Sequence, residues 1–213
     1  MTTDLGQATR RVGPPAELEL MDWRHRVSDL YSLVRAEPDA ELAHALWRRG
    51  RGELFTSHPQ SPLEPEDPLR RTGVPYWPYV PGLRFELELL PFGAPVRSVG
   101  TGGEEVTTMR AIGKVEIPSP VGASVAVWWL AQYGGGLFLP IRDGTSGKSS
   151  YGGGRYLFDT AKGAGLGGTY EKLVVDLNFL YHPSCRYSPQ YTCPLAPPEN
   201  TIAWPIEAGE RLT

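Results

Sequence analysis

The chain has 213 residues, enough for one core-bearing domain without covalent staples, and its net charge of −3 gives no electrostatic case for a nucleic-acid partner. Its 21 prolines and 25 glycines, beside 40% hydrophobic residues, argue against a helical bundle and for many short strands and turns. No apolar run is long enough to span a membrane, and the opening MTTDLGQATRRVGPP lacks the apolar stretch of a secretion signal, so a cytoplasmic protein without a membrane partner is expected.

Residues 1–13 are polar and are expected to fray. Leu20, Trp23, Val27, Leu30, Tyr31 and Val34 then recur at helical spacing and define one apolar face. Pro38 stops that helix and suits the first residue of a second one, which carries Leu42, Leu46 and Trp47. Arg48, Arg49 and Arg51 read as solvated charges at its C-terminal end, with Gly50 as its cap. Phe55 to Pro68 reads as an extended connector, with His58 as a surface or packing residue. Tyr76, Trp77 and Tyr79, interleaved with prolines, fit an irregular edge strand or an aromatic lid.

From Leu83 the period changes to two. Leu83 to Leu89 predicts a half-exposed strand, Val106 to Ile117 a second strand bent at Gly113, and Ala123 to Leu130 a central strand buried on both faces. Leu137 to Ile141 follows, and the short connections between these four predict successive antiparallel hairpins. Lys172 to Tyr181 predicts a strand with Asp176 and Asn178 on one face, either exposed or lining a cavity. Ile202, Trp204 and Ile206 predict a short closing strand. The expected fold is α+β, mainly antiparallel β, as a barrel or sandwich with an N-terminal helical pair. Residues 1–57 would form the helical segment packed on the core, and residues 58–213 the mainly-β domain.

The polar chemistry concentrates between Leu137 and Tyr156. Gly147-Lys148-Ser149 suggests a phosphate loop, but position 142, where that loop needs a glycine, is Arg, and no helical pattern follows. What remains is a glycine-rich turn whose backbone N–H groups, with Lys148 and Arg155, could hold an anion; alternatively Arg142, Asp143 and Arg155 pair with each other. His182, Cys185 and Cys193 lie close together but lack a fourth ligand and the usual Cys-x2-4-Cys clip, so no metal site and no cofactor is expected. The two cysteines are read as free or bridged. Glu199 and Asn200 follow a proline-stiffened run, where Glu199 either serves as an acid or base or pairs with Arg155 or Arg142.

The runs DGTSGKSSYGGGRYLFD, VVDLNFLYHPSCRYSPQYTCPLAPPEN and the terminal IEAGE resemble the DUF1684 family over about residues 76–210, with several motifs in the family's order. Asp143, Thr145, Ser146, Gly147, Tyr151, Gly152, Gly154, Arg155 and Tyr156 match the first motif. Asp176, Asn178, Pro183, Cys185, Tyr187, Cys193, Pro194, Pro197, Pro198, Glu199 and Asn200 match the second. The family's function is unknown, so the resemblance implies no reaction. His182 stands where the family pattern has Asn, so chemistry routed through it would not be a family property.

These readings combine into a binding site for a small polar or anionic molecule, between the glycine-rich hairpin and the Cys-Pro-Glu-Asn segment. Its residues would be Arg142, Asp143, Lys148, Tyr151, Arg155, Tyr156, Asp176, Asn178, Cys185, Glu199 and Asn200. One alternative is a hydrolase or isomerase with Glu199 or Asp176 as general base. Another is a structural or interaction domain in which the same residues form a buried clasp.

Overall fold

A computed structural model describes residues 15–100 and 106–213; the N-terminal polar stretch at 1–13 lies outside these. Two helices, α1 (Ala16–Ala36) and α2 (Ala40–Ser57), open the described chain. Asp39 caps α2, its carboxylate accepting from the N–H groups of Glu41 and Leu42, so the helix starts just after Pro38 rather than on it. Helix α2 also runs on past Gly50 for two further turns. There the glycine serves contact rather than termination: a Cβ on Gly50 would lie 2.6 Å from Leu30 Cδ1 of α1. The buried face of α2 is Ala43, His44, Trp47, Leu54 and Phe55, while Leu42 points outward at 57% exposure. The first three residues of the segment read as an extended connector, Phe55 to Ser57, therefore belong to the helix. His58 ends α2, buried, with Nε2 3.1 Å from Asp22 of α1.

A short helix, α3 (Leu69–Thr72), precedes the strands β1 (Arg84–Glu88), β2 (Arg97–Gly100), β3 (Val106–Ile117), β4 (Ala123–Leu130), β5 (Leu137–Ile141), β6 (Arg155–Asp159) and β7 (Lys172–Asp176). Strands β2 to β6 form one antiparallel sheet in chain order, and β1 pairs with β7 in a separate two-stranded sheet. The fold is α+β with antiparallel sheets. Among the described residues the larger sheet ends at β2 and β6 without pairing them, so it does not close into a barrel. Of the hairpins expected between the four successive strands, β3–β4 and β4–β5 form, but the first is corrected. β1 skips its sequence neighbours to pair with β7, Arg84 opposite Asp176, and the strand between β1 and β3 was not foreseen. Period two reports which face a side chain takes, not which strand lies beside it.

β4 is the central strand foreseen. Val125 and Val127 face one apolar cluster, and Ala126, Trp128 and Leu130 face the other. The pairing of β3 with β4 shifts register between Ala111 and Gly113, the expected bend. The first cluster also takes in Tyr31, Val34, Ala43 and Trp47, so α1 and α2 share one core with the sheets.

Two terminal elements depart from expectation. β7 stops at Asp176, whose carboxylate accepts from Asn178 N–H and turns Leu177–Phe179 into a single 3-10 turn. Residues 202–206 are not a strand: Thr201 bridges to Arg142, and the chain then runs as an irregular strap with Ile202 and Ile206 buried. Among the described residues no helix is long and apolar enough to cross a membrane.

Candidate functional site

The turn between β5 and β6 brings Asp143 and Arg155 together. Both side chains are fully buried, with Nη2 of Arg155 donating to Asp143 Oδ2 at 2.8 Å. The same guanidinium donates to the carbonyls of Ile206, Ala208 and Glu210 on the C-terminal strap and lies 5.1 Å from the centre of the Trp77 ring. Oδ1 of Asp143 accepts from Thr145 N–H, Thr145 hydroxyl and Ile206 N–H. Burial pulls the Arg155 pKa below its usual value, and the Asp143 carboxylate opposes that pull. The glycine-rich turn spends its amides inward: Gly147 N–H donates to Ser150 O, those of Lys148, Ser149 and Ser150 to Thr145 O, and that of Tyr151 to His182 Nε2. Arg142 and Lys148 face solvent.

A second buried pair lies next to the first and was not foreseen. Glu210, on the strap, has no exposed surface and accepts from Arg51 Nε, Tyr76 hydroxyl, His182 N–H and Tyr187 hydroxyl. Arg51 also rests on the rings of Phe55 and Tyr181. The signal was present in the sequence. Arg51 sits four residues after Trp47 and three before Leu54, on the inward stripe of α2, so it requires a buried countercharge. Although burial opposes its ionisation, Arg51 and its other donors hold the Glu210 pKa below the usual carboxylate value. His182 takes an amide proton on Nε2, which places its own proton on Nδ1, 3.6 Å from Glu210. Burial brings its pKa down to about 4.

Asp176 and Asn178 are buried and serve as a local staple. The Asn178 side chain accepts from Val80 N–H at 2.8 Å and donates to Val80 O at 3.0 Å, while Asp176 accepts from Tyr79 hydroxyl. The proline-aromatic run is thus not a strand: it bridges once, Tyr76 to Glu210, and is otherwise irregular chain held at Val80 by the Asn178 side chain. Burial raises the Asp176 pKa. Asp176 also reaches a cleft of about 450 Å³ between the helical pair and β1/β7, with Arg35, Glu37, Arg84 and Lys172 on its walls.

The Cys-Pro-Glu-Asn segment forms a third place. Asn200 is buried, accepting from Trp128 Nε1 and donating to Ala126 O, and so ties the segment to β4. Tyr156 donates to Pro194 O. Glu199 pairs with Arg97 of β2, not with Arg155 or Arg142, and this contact lowers its pKa. Among the described residues Arg97 Nε and Glu199 Oε2 have no hydrogen-bond partner. Beside them a cavity of about 350 Å³ is lined by Arg97, Ser98, Met109, Cys193 and prolines 194, 197 and 198. Cys185 and Cys193 are both free and half-buried. Cys185 N–H donates to Cys193 Sγ at 3.4 Å, and Cys185 Sγ lies 3.8 Å from Tyr151 hydroxyl. The Cys185 side chain and N–H beside Cys193 bring the Cys193 pKa down to about 6, and the same neighbour pushes that of Cys185 up.

The candidate residues therefore divide among three places. Asp143 joins Arg155, Asp176 joins Asn178, and Tyr151 joins Cys185. Arg155 and Glu199 share no hydrogen bond, ion pair or cavity among the described residues.

No curated protein matches the chain. A solved structure does: the solution NMR structure of an uncharacterized protein from Haloarcula marismortui is 28% identical, with a TM-score of 0.55, over 78% of this chain and 90% of that one. The model of the DUF1684 family, described as a protein of unknown function, matches residues 71–211. That span holds Asp143, Arg155, Asp176, Asn178, Cys185, Cys193, Glu199 and Glu210, while Arg51, the partner of Glu210, lies before it, and by this match the chain belongs to the DUF1684 family.

Proposed function

We propose that the protein binds a small polar molecule in the cavity bounded by Arg97, Ser98, Cys193 and the proline run. The observation that carries this reading is the half-exposed Arg97–Glu199 pair at the cavity, with one donor and one acceptor left without partners among the described residues. Buried polar atoms normally find partners. A molecule offering both an acceptor and a donor would part the pair and satisfy both groups. The cavity lies against the glycine-rich hairpin, because Gly153 packs on Leu195 and Gly154 on Ala196.

A thermal-shift screen of amino acids, small carboxylates and amides tests it. A ligand at a hundredfold excess over its Kd should add about 2.7 kcal/mol of stability. Arg97→Ala should abolish that gain, and Arg84→Ala, in the Asp176 cleft, should leave it. A screen without a hit, or a hit lost only with Arg84→Ala, would sink the proposal.

The clasp reading is favoured for the other motif residues. Among the described residues Arg155 reaches four protein oxygens through its Nη atoms and lines no cavity with its one unpartnered atom, the buried Nε, and Glu210 accepts from four protein donors. Acid–base turnover has less support. Asp176 accepts from Asn178 and Tyr79, and Glu199, held low by Arg97, is a weakened base.

A further inference from the structure

We propose that Cys185 and Cys193 act as a reactive dithiol that exchanges with small organic disulfides, Cys193 attacking and Cys185 resolving. The geometry comes first. The fold places a residue of the 3-10 turn Ser184–Arg186 against one that precedes Pro194, so close that Cys185 N–H donates to Cys193 Sγ. Neither thiol is enclosed, and Cys193 opens on the cavity beside Arg97. The proline run and the Tyr156–Pro194 hydrogen bond hold Cys193 in place. Side-chain rotation would then carry Cys185 Sγ towards Cys193 Sγ, which already lies 3.4 Å from the Cys185 backbone nitrogen.

The surroundings divide the roles. The Cys185 side chain, its N–H donation and nearby Lys162 favour the Cys193 thiolate against burial and the Asp159 charge. Tyr151, Tyr156, Tyr191 and Arg186 stand in the titratable surroundings of the two sulfurs. A thiol with pKa near ambient pH attacks best, because it is ionised yet still nucleophilic.

In the first step the Cys193 thiolate attacks one sulfur of a disulfide RSSR. A Cys193–SR bond forms, the S–S bond breaks and RS⁻ leaves. Cys185 gives its proton to the departed thiolate and attacks Cys193 Sγ, expelling the second RS⁻, which takes a proton from water. The protein loses two electrons to form one disulfide, and RSSR gains them to become two thiols.

The inference rests on the proposed cavity only for access. The test is to incubate the intact protein with oxidised glutathione, block remaining thiols with iodoacetamide and read the products by mass spectrometry. The wild type should end with an internal disulfide and no adduct. Cys185→Ser should stall with one glutathione on Cys193, and Cys193→Ser should react at least about tenfold more slowly. Brief iodoacetamide treatment of the untreated wild type should mark Cys193 before Cys185, a readout that needs no variant. An unreactive wild type, stable adducts in place of the bridge, or Cys185 marked first would overturn it. Arg97→Ala separates the two readings: losing ligand stabilisation in the wild-type background tests the cavity, whereas the bridge should still form.

Discussion

At the residue scale the molecule is governed by charges removed from water. Glu210 accepts four hydrogen bonds with no surface exposed, so its replacement leaves Arg51 buried without its countercharge. Glu210→Gln should lower stability by about 3–5 kcal/mol, read as a shift of the urea midpoint. Adding Arg51→Met to Glu210→Gln should recover part of that loss, because it removes the unpaired cation while the amide oxygen still offers Tyr76, Tyr187 and the His182 N–H an acceptor. The histidines set the pH response. His44 and His182 are both held down to about 4 by burial, so between that value and the unfolded value of about 6.5 the unfolded chain binds more protons. Stability is therefore full above about pH 6.5 and falls as pH drops toward 4, by about 2 kcal/mol per histidine at pH 5. The lowered Glu210 pKa acts in the same direction at still lower pH. Urea titrations at pH 7.5 and 5 measure this, and His182→Asn should make the loss smaller; an unchanged pH dependence would exclude His182 as a contributor. His182, Arg51 and Glu210 were hard to see as a group because they lie far apart along the chain. Arg51 alone carried a readable sign, its place on the apolar stripe of α2.

At the element scale the strap from Thr201 to Glu210 matters most. Its alternation of Ile202, Trp204 and Ile206 resembles a strand, yet it makes no ladder. Arg155 supplies instead the donors that satisfy its carbonyls at Ile206, Ala208 and Glu210. Arg155→Met should therefore leave Asp143 without its countercharge and three carbonyls without the donors Arg155 supplies. It should cost about 3–5 kcal/mol and speed amide exchange in the strap before the rest of the chain, as hydrogen-exchange mass spectrometry would show. Gly209 turns the strap at φ 76°, and a Cβ there would run into the Leu180 carbonyl oxygen. Gly209→Ala should destabilise by about 1–3 kcal/mol, since it displaces the turn that delivers Glu210. If both variants unfold at the wild-type midpoint, the strap is not held in this way. The pairing of Asp143 with Arg155 was legible as one of two options for the glycine-rich turn. The carbonyls were not, because backbone acceptors have no sequence signature.

At the scale of the whole molecule, the N-terminal helices are not an appendage. Trp47 is 1% exposed within the core shared with the sheets, and Arg51 completes the Glu210 site. A fragment of residues 58–213 should therefore lack a cooperative thermal transition and show poorly dispersed amide resonances, while the full chain unfolds in one step. A cooperative, well-dispersed fragment would show that the mainly-β part stands alone.

The sequence by itself determined the helical pair, most of the strands, the double-sided burial of β4 and the family motifs. Periodicity and turn chemistry are local properties, and a side chain's neighbours along the chain are enough to express them. Only the tertiary structure decided that β1 pairs with β7, that the larger sheet stays open, and that Glu199 meets Arg97 while Arg155 meets Asp143 and the strap. Each of these joins groups distant in sequence or chooses among several charges of suitable sign. Such a choice follows from which arrangement satisfies the most buried donors and acceptors at once, a condition that belongs to the packed molecule.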